Sequence, residues 1–122
     1  AARALASQTG AVVAVSGPFV VLTDGDTTYL LRNGCATMSR ITGSGCMLTA
    51  LMGVFCGAMP GEPLSAACAA AAAMGVAGEV AEAKRLAHGT GSATFRTDLI
   101  DAVFNLTPAQ LEAAARCERY SG

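Results

Sequence analysis

Charge is scarce in this sequence. Charged residues make up 14% of the 122, with 8 Lys+Arg against 9 Asp+Glu and a formal net charge of -1. No basic patch stands out, which excludes a nucleic-acid partner. An anionic small substrate would have to be held by backbone dipoles or a few fixed cations. There is one histidine, His88, and no CxxC, so no zinc pattern can be completed. The five cysteines (Cys35, Cys46, Cys56, Cys68 and Cys117) are odd in number and irregularly spaced. They fit reduced thiols in a cytoplasmic protein. No internal repeat, interdomain linker or signal peptide is visible.

Uninterrupted membrane-length apolar runs are also missing. Residues 41–61 carry no charge, but Thr42, Gly43, Ser44, Gly45, Gly53, Gly57 and Pro60 interrupt them. The apolar part, Cys46 to Met59, is too short to span a bilayer. A second run, Leu64 to Gly78, is mostly alanine and ends at Glu79. Both read as buried helices, with no membrane partner. What the chain does have is apolar mass: 52% hydrophobic residues and a mean hydropathy of +0.46. That excludes disorder and suffices for one domain with a core needing no disulfide or metal staple. The five methionines read as core filling.

Ala1 to Gln8 reads as a helix stopped by Gly10. It has no initiator Met and no preceding cap, as expected in the middle of a longer protein. Ala11 to Val15 is a continuous apolar run, the pattern of a strand buried on both faces. Short strands are expected at about 11–16, 20–23 and 27–31, the last two flanking an Asp24-Gly25 hairpin turn. Asn33-Gly34 is a further turn.

Four helices follow. Leu48, Leu51, Met52, Phe55 and Met59 lie at i, i+3, i+4, i+7 and i+11 on one face; Thr49, Gly53, Cys56 and Gly57 form a small opposite face. Such a helix reads as buried all round. Pro63 opens a long alanine-rich helix to about Leu86. Ser92 reads as the cap of a helix through Leu106. Thr107-Pro108 begins a last helix to about Arg119, which would carry Cys117. Cys56 and Cys68 are placed on buried helix faces, and Cys35 after a turn without a partner.

The stretch richest in chemistry is Ile41-Thr42-Gly43-Ser44-Gly45-Cys46-Met47-Leu48. Two glycines let the backbone turn sharply into a helix and bare its first N–H groups. Those groups, with the positive end of the helix dipole, form an anion site. A helix start lowers the pKa of a thiol placed in its first turn, making Cys46 a candidate thiolate or proton acceptor. The alternative is a glycine turn for close packing, with Cys46 a small core residue. The spacing matches neither a Walker A loop nor a Rossmann fingerprint. Ser16, at the end of the first strand, is a second candidate, against the simpler reading of a turn serine bonding its own backbone. The glycines of the His88–Ser92 loop are a weaker anion-site signal.

Val12-Val13-Ala14-Val15-Ser16-Gly17, Thr23-Asp24-Gly25, Asn33-Gly34, residues 41–48, Ala77-Gly78-Glu79 and Gly89-Thr90-Gly91-Ser92 occur in an order that resembles the C-terminal half of the hydroxyethylthiazole kinases, ribokinase-like α/β enzymes of thiamine salvage. The glycine loop ending in Cys is the most specific part, since most ribokinase-like kinases carry Asp there. The resemblance implies phosphorylation of the hydroxyl of 4-methyl-5-(2-hydroxyethyl)thiazole with ATP and Mg²⁺. It implies Cys46 as the catalytic residue and Gly43, Ser44, Gly45 and Cys46 as the anion hole. It further implies Gly43 contacting the thiazole alcohol and Ser16 contacting ATP. No metal ligand is expected on this chain, because the family's metal-binding carboxylates lie in its N-terminal half, which is absent. The complete enzyme is expected to be a homotrimer with sites between subunits.

Ser44 stands where the family usually has Thr, Phe19 where it has Asp, and Cys35 where it often has His. The alternatives are a ribokinase-like kinase of another small alcohol or vitamin precursor, and a non-catalytic structural fragment of that fold.

Overall fold

The structure, a computed structural model, describes residues 2–15, 20–41 and 43–120. Helix α1 (Ala2–Thr9) precedes strands β1 (Val13–Val15), β2 (Val20–Thr23) and β3 (Thr28–Leu31). A 3-10 turn (Ala36–Arg40) leads to helices α2 (Ser44–Ala58), α3 (Pro63–His88), α4 (Ser92–Phe104) and α5 (Pro108–Ala114), and a final strand, β4 (Cys117–Tyr120). The strands form one antiparallel sheet in the order β1-β2-β3-β4.

The hairpin between β2 and β3 forms as its sequence demands. Asp24 Oδ1 accepts the backbone N–H groups of Asp26 and Thr27 at 2.9 and 2.8 Å. These donors, Thr27 foremost, hold the Asp24 carboxyl below its usual range.

Helix α3 is the hub. From Ala70 to Gly78 it is buried without a break. One side packs on the sheet, where Ala67, Ala71 and Ala72 meet Leu22 and Leu31. Another meets α4, where Met74, Ala77 and Ala81 cluster with Phe95, Leu99 and Ala102. A third receives α2. Small side chains let three neighbours approach one helix, which is why this segment is mostly alanine and glycine, with Met74 and Val76 the two larger residues. By length and composition α3 could cross a membrane, but two-thirds of its most apolar window is buried within the chain, as befits a core helix.

Several expectations from the sequence need correction. The face of α2 bearing Leu48, Leu51, Met52, Phe55 and Met59 is half-buried, but the opposite face is exposed and no residue of α2 is fully buried. Its inner face has α3 as a neighbour; its outer face, with Val54 68% exposed, has no packing partner among the described residues. Strand β1 is not buried on both faces: Ala14 and Val15 are exposed, and among the described residues β1 is an edge of the sheet. Cys56 is exposed and Cys68 half-buried. Ser92 is the first residue of α4 rather than its cap, a place taken by Gly91.

The last helix is shorter than its composition suggests. Thr107 caps α5 in a reciprocal capping box with Gln110, and Pro108 sits in its first turn. It ends at Ala114 because the next backbone groups are claimed elsewhere. The Arg116 N–H donates to Asn33 Oδ1 at 2.6 Å, and the Arg116 carbonyl accepts the Arg32 N–H at 3.0 Å. Strand β4 then pairs with β3, moving Cys117 from a helix to a strand.

Helix α3 accepts its neighbours at two glycines of different tolerance. A Cβ on Gly75 would lie 2.6 Å from Asn33 Cβ and 2.9 Å from its backbone carbon. On Gly78 the Cβ would meet Met38 Sδ, near the end of a flexible side chain. Gly75→Ala is therefore expected to destabilise by about 2 kcal/mol, a typical overpacking cost. For Gly78→Ala, a helix-propensity gain of about 1 kcal/mol offsets most of the clash. Urea denaturation of the two variants measures the difference; equal losses would contradict the assigned contacts.

Candidate active site

Gly75, Gly78, Glu79 and Glu82 lie at i, i+3, i+4 and i+7, so they share one face of α3. The segment from Asn33 to Met38 lies along that face. Asn33 sits over Gly75. Its side-chain amide donates to Glu79 Oε1 at 3.2 Å and to the Ala114 carbonyl at 2.8 Å. The Gly34 N–H donates to Glu79 Oε2 at 3.0 Å. Arg116 pairs with the same carboxylate. Cys35 Sγ donates to the Gly78 carbonyl at 3.5 Å, so this thiol has a partner after all; burial pushes it up from its ordinary value. Thr37 Oγ1 donates to Glu82 Oε2 at 2.6 Å. Arg85 binds Glu82 too, and its hydrogen bond does most to hold that carboxyl below its usual range.

This stripe fixes the 3-10 turn, and the turn positions the glycine loop. Ser44 Oγ donates to the Met38 carbonyl at 3.0 Å, joining the first residue of α2 to the turn. Gly43 occupies the N-cap position at φ +96°, a conformation side-chain-bearing residues rarely adopt. The Met47 N–H is bonded to the Gly43 carbonyl at 2.9 Å. The N–H groups of Ser44, Gly45 and Cys46 precede it and have no partner inside the helix, as at any helix start. Gly43, Ser44, Gly45 and Cys46 are thus brought together at the positive end of a 15-residue helix.

The loop has two sides. Ser44 and Gly45 face a cavity of about 730 Å³ whose other walls include Asn33, Leu48, Ala71 and Met74. Cys46 is exposed and does not line that cavity. Ser16, Gly17 and Phe19 lie outside the described residues. In the loop between α3 and α4 the hydroxyl oxygen of Thr90 is buried without a partner among the described residues. No three metal-ligating side chains converge among the described residues. These residues do not by themselves fit a Mg²⁺ site.

The sequence matches the hydroxyethylthiazole kinase family over residues 1–109. The chain belongs to that family. It is 40% identical over 119 residues to hydroxyethylthiazole kinase of Clostridium acetobutylicum, covering 98% of this chain and 43% of that protein. It is 44% identical over 116 residues to the enzyme of that name from Granulibacter bethesdensis, covering 95% of this chain and 40% of the other. The fold matches the structure of hydroxyethylthiazole kinase from Pyrococcus horikoshii OT3 with a TM-score of 0.84 at 27% identity, over 98% of this chain and 45% of that one. The ribokinase-like α/β class is therefore correct, and the chain spans less than half the length of these relatives.

Sequence reasoning singled out Asn33-Gly34 and Ala77-Gly78-Glu79 without assigning them a role. The spacing of Gly75, Gly78, Glu79 and Glu82 was the available signal that one helical face receives another segment. Two substitutions test this support. Asn33→Ala strands the Ala114 carbonyl and the Arg116 N–H and is expected to cost about 2 kcal/mol. Gly43→Ala, which leaves every neighbour untouched, is expected to cost about 1–2 kcal/mol through backbone strain alone. Denaturant titrations check both; a neutral Gly43→Ala would rule out the positive φ.

Proposed function

We propose that this chain supplies the phosphoryl-transfer loop of a kinase that phosphorylates the hydroxyl of 4-methyl-5-(2-hydroxyethyl)thiazole with ATP. The observation that carries the reading is a glycine turn with an exposed cysteine in the first turn of α2, in a chain of the hydroxyethylthiazole kinase family. In this reading the substrate hydroxyl attacks the γ-phosphorus while the bond to ADP breaks. Cys46 takes the hydroxyl proton. The N–H groups of Gly43 to Cys46 bind the oxygens of the transferred group, and Gly43 also touches the thiazole alcohol. Backbone donors suit this task because phosphoryl transfer is mainly positioning and charge stabilisation. Ser16 is assigned to ATP.

Mg²⁺ bound with the nucleotide would offset its phosphate charge, and its ligands would come from the N-terminal half of the family's enzymes rather than from the described residues. That enzyme is a cytoplasmic homotrimer with sites between subunits, in keeping with the exposed apolar side chains of Val54, Leu86, Ile100 and Phe104. A second small alcohol is the rival substrate, and turnover across a panel of alcohols separates the two.

The decisive experiment joins this chain to the N-terminal part of the Clostridium acetobutylicum relative and follows ADP release. Cys46→Ala is expected to lower kcat ~10²-fold by removing the proton acceptor. KM for ATP stays nearly constant because the backbone donors survive. Cys46→Asp retains activity, since a carboxylate can take the same proton. Unchanged kcat in the alanine variant would remove Cys46 from the chemistry.

The unjoined chain offers a simpler test. Cys46 and Cys56 are both exposed, near opposite ends of α2. The positive end attracts anions and the negative end repels them. Iodoacetate is expected to label Cys46 faster than Cys56, and ATP to slow only the labelling of Cys46. Equal rates unaffected by ATP would argue against an anion site.

A further inference from the structure

Two cysteines outside the loop meet across the sheet–helix boundary. Strand β4 pairs with β3 so that Cys117 lies directly opposite Leu31. Directly opposed residues project to the same side of a sheet. Leu31 is buried against Ala67, Ala71 and Ala72 of α3, and Cys68 packs on that same cluster. Cys117 therefore faces the turn of α3 that carries Cys68, and the two sulfurs are within hydrogen-bonding reach. Cys117 is exposed and Cys68 half-buried, so one sulfur is open to a reagent and the other shielded behind it. The geometry assigns Cys68 and Cys117 as an oxidisable pair that closes into a disulfide and staples the last strand to the core helix.

A small disulfide such as oxidised glutathione is the oxidant. The Cys117 thiolate attacks one glutathione sulfur, forming a mixed disulfide and releasing one reduced glutathione. The Cys68 thiolate then attacks the Cys117 sulfur, forming the Cys68–Cys117 bond and releasing the second. Two thiols are oxidised, one glutathione disulfide is reduced, and the two thiol protons end on the two glutathione thiols. Burial pushes the Cys68 thiol up to about 12 and raises Cys117 as well. Closure is accordingly slow at neutral pH and speeds up about tenfold per pH unit from 7 to 9, in step with the thiolate fraction.

Peptide mapping of the chain tests the assignment. Trypsin releases residues 41–84 as one piece, holding Cys46, Cys56 and Cys68, and residues 117–119 as another. In a Cys46→Ser/Cys56→Ser variant, both changes being at exposed positions, Cys68 is the only thiol of the first piece. After incubation with oxidised glutathione, blocking with N-ethylmaleimide and non-reducing digestion, the two pieces are expected as one linked mass that dithiothreitol separates. The unsubstituted chain is expected to lose two of its five maleimide-reactive thiols to that link, and its thermal midpoint to rise on oxidation. Recovery of residues 117–119 carrying only maleimide or glutathione, or a link from Cys68 to Cys35, would overturn the pairing. A closure rate independent of pH would overturn the exchange mechanism.

Discussion

The approach of Asn33 to the bare backbone of α3 at Gly75 is the contact on which the rest of the structure depends. It places a polar side chain in the interior, and that side chain is then fully used. Asn33 donates to Glu79 and to the Ala114 carbonyl and accepts the Arg116 N–H. One residue thereby joins the end of β3, the middle of α3 and the passage from α5 to β4. A buried polar group with all its partners fixes geometry more narrowly than apolar contact does, because each bond has a direction. The remainder of the stripe extends the same logic: Gly78 admits Met38, and Glu82 holds Thr37. The backbone is led to Gly43 along a path that α3 dictates.

Much of this was legible in the sequence where local chemistry rules. The Asp24-Gly25 hairpin, the Thr107-Pro108 helix start and the glycine stop after α1 all follow from side chains bonding their own neighbourhood or from positive φ. The inner face of α2 was legible from its apolar spacing. The extent of its burial was not, because periodicity says which side faces inward and nothing about how many neighbours arrive. Ala14 and Val15 show the same limit: an apolar run fits a central strand, but among the described residues β1 pairs with β2 alone, and a local pattern does not say whether a second strand arrives on its other side.

The end of α5 was hidden for a different reason. Residues 109–115 are rich in alanine and contain no helix breaker, so local propensity favours continuation. Tertiary hydrogen bonds win instead, the Arg32 N–H donating to the Arg116 carbonyl and the Arg116 N–H to Asn33 Oδ1, and β4 follows from them. The same override carried Cys117 to the strand that faces Cys68. The candidate loop stood out because its determinants are local: paired glycines, a serine and a cysteine at the start of a helix. Its support was harder to see, since Asn33, Thr37, Glu79 and Glu82 act across more than 40 residues of sequence.

The loop is positioned from within this chain, while its outer side is open. Its positioning rests on contacts complete among the described residues: Ser44 on the Met38 carbonyl, the 3-10 turn on Glu82, and Asn33 on Gly75. Its surroundings are open, with Cys46 exposed and apolar side chains uncovered on α2 and α4. A helix-start anion site in water is weak, because solvent competes for the same donors; it gains strength when water is excluded. In the reading proposed above, the remaining length of the kinase contributes that exclusion along with the metal. The stripe on α3 has a narrower role. It holds the first three N–H groups of α2 and one thiol in fixed relation, and in the proposed reading that fixed relation is what electrostatic stabilisation of a transferring phosphoryl group requires.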